Sequence, residues 1–218
     1  MDFNRIIVPI GNGKVLQLLM NIIPFLGVLF YDWSVFALIY AFWLETLSVS
    51  FFNAVRIIFA QKTNSPGVNI LKGIKYLFVR SFILLFYMIF ILVFIGIEIS
   101  STQHGVNFAS DLLMLEPSFR ITILVFFFIK LIELIYHYFY LNERKDESPD
   151  SYFALIDARL VIIHVVIVLG VFAFQFFSEK LDNHAGVVAF AGVFVLVKIL
   201  GEMVSNWIST NKSESNKS

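Results

Sequence analysis

Ionisable side chains stand inside stretches too apolar to be anything but membrane spans, among them Glu45, Arg56, Lys130, Glu133, His137, Arg159, His164, Lys198 and Glu202. Such groups are costly in hydrocarbon and turn toward a bundle interior or a wet cavity, so each is a candidate for chemistry. Glu45, Lys130, Glu133, His164 and Lys198 fall near the midpoints of their spans, whereas Arg56, His137, Arg159 and Glu202 lie toward the ends expected in the cytoplasm. Lys130, Glu133 and His137 follow at i, i+3 and i+7 and share one helical stripe, as do Lys198, Glu202 and Ser205. Glu45, Ser48, Phe52 and Arg56 line one face, Asp157, His164 and Gln175 another, and Arg159 points away from the latter. The two Lys–Glu pairs neutralise themselves on their own helices and serve equally well as structural glue. Glu45 has no opposite charge one turn away. Its partner is Lys130 or Lys198 on another helix, or a proton, or a ligand. A carboxyl at that depth suits proton coupling or general acid–base work. Arg56 and Arg159 are expected to snorkel to the inner headgroups, and a lone His164 reads most simply as a hydrogen-bonded core residue.

Other chemistries find less support. Glu45, Glu133, His137, His164 and Glu202 have ligand types suited to zinc or iron. No His-x-x-x-His or His-Glu-x-x-His pair accompanies them, so no metal site is expected, and the sequence names no cofactor. The chain has no cysteine, no Gly-x-Ser-x-Gly element and no glycine-rich phosphate loop. Its formal net charge of +0 argues against nucleic acid as a partner.

The elements that must position these groups are long and apolar. The 218 residues are 59% hydrophobic and 15% charged, against about 25% charged in soluble domains; the mean hydropathy is +0.83. That much apolar surface requires lipid to cover it. The expected architecture is all-α: a polytopic membrane bundle of six transmembrane helices over Val15–Tyr31, Trp33–Ala60, Tyr76–Ile99, Phe119–Leu141, Tyr152–Phe177 and Gly186–Ile208. Asn21 and Pro24 weaken the first span. Ala185, Ala189 and Gly192 form a small-residue stripe suited to close packing in the sixth. Lysine and arginine gather in the N-terminus, the 61–75 loop, the 142–151 loop and the tail, which places both termini in the cytoplasm. One domain over 1–210 is expected, with a disordered cytoplasmic tail at 211–218.

The run from Asn21 to Ile57 resembles an uncharacterised family of prokaryotic multi-pass membrane proteins, a domain of unknown function. The residues that carry the likeness are Asn21 and Pro24, the aromatic-Trp-Leu-Glu element ending Trp43-Leu44-Glu45, and Phe52-Asn53. His164 after Arg159, and Lys198, are similar to the family pattern; Thr46 stands where that pattern has asparagine. The resemblance implies the inner membrane of a prokaryote and no particular activity. The primary site candidates are therefore Glu45, Lys130, Glu133, His164, Lys198 and Glu202, with Asn21, Asn53, His137 and Arg159 secondary. Three functions compete: proton- or ion-coupled transport of a small solute, an intramembrane enzyme acting on a lipid or isoprenoid, and a non-catalytic membrane subunit or sensor. The expected partners are the bilayer, a small solute or ion, and a second copy or another membrane protein.

Overall fold

Helix α1 (Gly13–Tyr31) passes through Pro24 without a break and ends in a three-residue turn. Asp32 takes a left-handed φ of 50° there, and Ser34 caps α2 (Val35–Phe59) by accepting a 2.9 Å hydrogen bond from the Ala37 amide. Trp33 lies flat on Gly27, where an added Cβ would stand 2.5 Å from the indole, so α1 and α2 lock together at this corner. These features belong to a computed structural model that describes residues 13–62, 66–97, 112–113, 115–146, 148–155 and 157–215.

Beyond the turn at Ala60, whose carbonyl accepts from the Asn69 side-chain amide at 2.9 Å, α3 runs from Pro66 to Ile91 and continues as a π-helical turn to Ile97. Helix α4 (Pro117–Glu133) likewise continues as a π-helix, Leu134–Tyr140. Two 3-10 turns lead to α5 (Ala158–Lys180), which Asp157 caps by accepting from the Leu160 amide at 3.2 Å. Helix α6 (Asn183–Ser215) follows after Asp182, whose carboxylate accepts from the Ala185 amide at 2.6 Å.

The described residues are helices and turns only, as the composition predicts. Helices α5 and α6 form one closely packed antiparallel pair and α2 and α3 another. Helix α2 is the axis of the bundle and touches α1, α3, α4, α5 and α6. Its first eight residues, Val35 to Phe42, are all buried. Among the described residues four helices are long and apolar enough to cross a membrane: Val35–Phe59, Val68–Ile91, Arg159–Lys180 and Asn183–Gly201. Their outward faces are apolar too. Phe78, Phe82 and Phe86 on α3, Phe128 on α4 and Phe172 on α5 are all more than half exposed. Soluble proteins rarely leave so much contiguous apolar surface bare, and these features point to a membrane protein.

The boundaries differ from the sequence expectation in three places. The stretch expected as a 61–75 loop is helical from Pro66 onward, because Val68, Leu71 and Ile74 extend the apolar outer face of α3. The fifth helix starts at Ala158 rather than Tyr152, since Asp157 supplies the cap. Helix α6 runs to Ser215 and so continues into the segment expected as a tail. Close packing of α5 on α6 rests on Gly170 against the Phe190 ring and Gly201 against Ile162, whereas nothing lies within 4 Å of a Cβ at Gly192.

Candidate functional site

Glu45 stands ten residues into α2, about 15 Å from its start at 1.5 Å per residue. Each of its two carboxylate oxygens is held by a cation from a different helix. Oε1 accepts from Arg159 Nη1 of α5 at 2.8 Å, and Oε2 accepts from Lys198 Nζ of α6 at 2.7 Å. Glu45 is 4% exposed and Lys198 0%. The ammonium of Lys198 also lies 4.7 Å from the centroid of the Phe42 ring and 5.9 Å from that of Phe194. Phe42 is on α2, three residues before Glu45, so the helix that supplies the carboxylate also supplies the aromatic face. Three helices are thus joined through one carboxylate.

A second ion pair adjoins the first in sequence on both sides. Arg80 of α3 is 1% exposed and donates through Nη2 to Asp157 at 2.7 Å, through Nε to Ser50 Oγ at 3.2 Å, and through Nη1 to the Leu155 carbonyl. Ser50 donates in turn to the Thr46 carbonyl at 2.8 Å, and Thr46 to that of Phe42 at 2.8 Å. Asp157 and Arg159 are two residues apart at the start of α5, and Glu45 and Thr46 are adjacent on α2. The two groups therefore lie on one continuous seam. Ser50 is nine residues from the end of α2, about 14 Å along its axis. The extended residues before α5 consequently reach into the bundle, and non-helical backbone at such depth needs internal partners. Arg80 supplies one to the Leu155 carbonyl. The first turn of α5 carries the positive end of the helix dipole, which Asp157 offsets and the Arg159 guanidinium aggravates. Glu45 relieves that conflict.

Lys130, Glu133, Arg56 and His137 stand apart from Glu45, with Arg56 in the last turn of α2. Lys130 Nζ donates to Glu133 Oε2 at 2.8 Å within α4, and Arg56 Nη2 of α2 approaches Glu133 Oε1 at 3.9 Å. Arg56 lies 5.4 Å from the Tyr152 ring centroid, and its backbone carbonyl accepts from the Tyr138 hydroxyl. His137 Nδ1 meets Glu143 Oε1 at 3.2 Å.

The sequence candidates are thus divided rather than gathered. Glu45, Lys198 and Arg159 meet. Lys130, Glu133 and Arg56 meet elsewhere. The partner of Glu45 is Lys198, one of the two lysines the sequence offered, and Arg159 turns inward to it instead of snorkelling. His164 is exposed on α5, edge-on to Tyr87 of α3 with ring centroids 6.4 Å apart, and does not join the Glu45 group. Asn53 is half-buried on α2, and the side chains of Asn21 and Glu202 lie outside the described residues. Among the described residues no three His, Asp or Glu side chains stand together as a metal-ligand set. Arg80 is the residue that sequence reasoning missed. The signal was available: an arginine flanked by Phe78, Val79, Phe82 and Ile83 has the same cost as Glu45. Its depth was hidden because the third span seemed to begin at Tyr76, which left Arg80 near an end.

A model of a family described as being of unknown function, DUF6498, matches residues 12–218. No curated protein and no solved structure matches the chain.

Proposed function

The chain belongs to that family of unknown function; from its apolar runs, loop charges and family likeness we propose that it is a six-span inner-membrane protein of a prokaryote with both termini in the cytoplasm, and from the geometry of its buried charges that it moves a small solute in step with a proton or an ion. The observation that carries this reading is the division of one carboxylate between two cations on two helices. Any event that neutralises Glu45, whether a proton or a bound cation, weakens both links and frees α5 and α6 from α2 in one step. Buried ion pairs stabilise a protein less than apolar packing of the same volume, and their best-attested use is as a register or switch. The start of α5 inside the bundle adds support, because interrupted helices frame the midplane sites of many transporters. In this reading Glu45 is the coupling group, Lys198 and Arg159 hold the closed state, and Lys130 with Glu133 forms a separate brace.

The test uses the absence of native cysteine. Thr46 is fully buried beside Glu45, and Thr46→Cys is expected to react with a membrane-impermeant thiol reagent only when a water-filled path opens. Labelling should rise at least tenfold when Glu45→Gln is added, or when an opposing pH gradient is imposed on sealed vesicles. Equal, negligible labelling under every condition would remove the transport reading. That outcome would favour a non-catalytic subunit or sensor, a role supported by how tightly Glu45 and Lys198 are buried. The enzyme reading required His164 beside Glu45, and no such contact supports it.

A further inference from the structure

One face of α5 is wrong for lipid. Val161, His164, Val168, Phe172 and Gln175 recur at three- and four-residue intervals, fall on a single stripe, and are all exposed. Helix α5 has the composition of a membrane span. His164 is six residues from its start and Gln175 five from its end, about 9 and 8 Å inside a helix some 34 Å long. Both groups therefore fall within a hydrocarbon core about 30 Å thick. Neither has a hydrogen-bond partner among the described residues; His164 has only the edge of the Tyr87 ring. An imidazole and a primary amide left bare in hydrocarbon each forfeit their hydrogen bonds, and polar groups in spans face protein for that reason.

We infer that this stripe is the contact surface between two copies of the chain, related by a two-fold axis along the membrane normal. The chemistry of the stripe selects the partner. Residues near such an axis meet their own copies. An imidazole carries one donor and one acceptor, and a primary amide carries both kinds, so each can bond to its own kind. A charged group on the axis would instead meet like charge, and this stripe contains none between Val161 and Gln175. The two polar positions are eleven residues apart, about 16 Å, so they bracket an apolar centre of Val168 and Phe172. That arrangement fixes register while the apolar side chains pack. The inference rests on α5 crossing the membrane and not on the transport reading, which the Thr46 labelling tests separately.

Cysteine cross-linking in lipid tests it. Val168→Cys and Phe172→Cys should give a disulfide-linked dimer on mild oxidation, whereas Phe78→Cys, on an exposed face of α3 turned away from Tyr87, should form no disulfide link between copies. In single-molecule photobleaching, wild type should show two subunits per spot. His164→Leu with Gln175→Leu should weaken dimerisation by about threefold to thirtyfold, the range expected for interhelical polar contacts in membranes, with helix content unchanged. If that variant does not fold, the cross-linking of the other folded variants decides. A monomeric wild type, equal cross-linking from Phe78→Cys, or cross-links from α5 to a different protein would each overturn the inference.

Discussion

Replacing Glu45 by leucine should leave two cations facing each other across the bundle without their shared anion. The magnitude follows from the geometry. At 2.7 Å and an effective dielectric near 20, the Glu45–Lys198 attraction is about 6 kcal/mol before desolvation is subtracted. Desolvation of the two ions removes several kcal/mol from that figure, so the net value of the pair is small. Breaking the pair is different, because the remaining ion keeps its desolvation cost and loses its compensation. Glu45→Leu should destabilise the protein by about 3–5 kcal/mol, and Lys198→Met by less, because Arg159 still holds Glu45 Oε1. The double variant removes a matched pair, so its cost should fall short of the sum by at least about 2 kcal/mol. Arg159, with a side chain 21% exposed, has room to reorient once Glu45 is gone. The assay is reversible unfolding in mixed micelles, with helix content followed across the denaturing detergent fraction. Additivity of the two single substitutions to within about 0.5 kcal/mol would show that the ions do not act as a unit, and would refute the role given to the Glu45–Lys198 pair.

Other substitutions test the surrounding packing and caps. Gly170→Ala drives a Cβ to 2.5 Å from the Phe190 ring and should cost about 1–3 kcal/mol, while Gly192→Ala meets nothing and should be neutral or stabilise by up to about 1 kcal/mol, both read from the same unfolding curves. Asp157→Asn keeps a capping oxygen but loses the charge beside Arg80, whereas Asp157→Ala loses both; amide exchange in the first turn of α5 should accelerate in both and more in the alanine variant, by the equivalent of about 1 kcal/mol. Tyr138→Phe removes only the hydroxyl that donates to the Arg56 carbonyl and should lower stability by about 1 kcal/mol.

Much of the fold could be read from hydropathy, since long apolar runs in a charged-poor chain leave few alternatives to helices in lipid. The special status of Glu45 was also legible, because a carboxylate with no cation one turn away must look to another helix. Which helix answers it was not legible. Spacing relates residues only within one helix, and it placed Arg159 opposite His164 correctly while leaving open which of those faces turns inward. The bundle turns Arg159 in and His164 out. The same blindness applied to the glycines. A stripe at Ala185, Ala189 and Gly192 has the right period for close packing, yet the ring of Phe190 meets Gly170 of α5 instead. Arg80 was lost to a boundary error, since a helix starting at Pro66 buries a residue that a helix starting at Tyr76 exposes at its rim.

The Glu45 links also set an order of events during synthesis. Arg159 lies 114 residues after Glu45, and Lys198 lies 153 after it. At about 5–20 residues per second, α2 exists for roughly 8–30 s before Lys198 is made. Lys130 and Glu133, three residues apart, are born already neutralised. Until Arg159 is made, α2 carries a mid-helix carboxylate with neither of its cations, so it must be kept protonated or sheltered by the insertion machinery. Chains that stop before α6 never receive the lysine. Their Glu45 has Arg159 for one oxygen and no lysine for the other, a chemical difference by which a cell can tell an unfinished copy from a complete one.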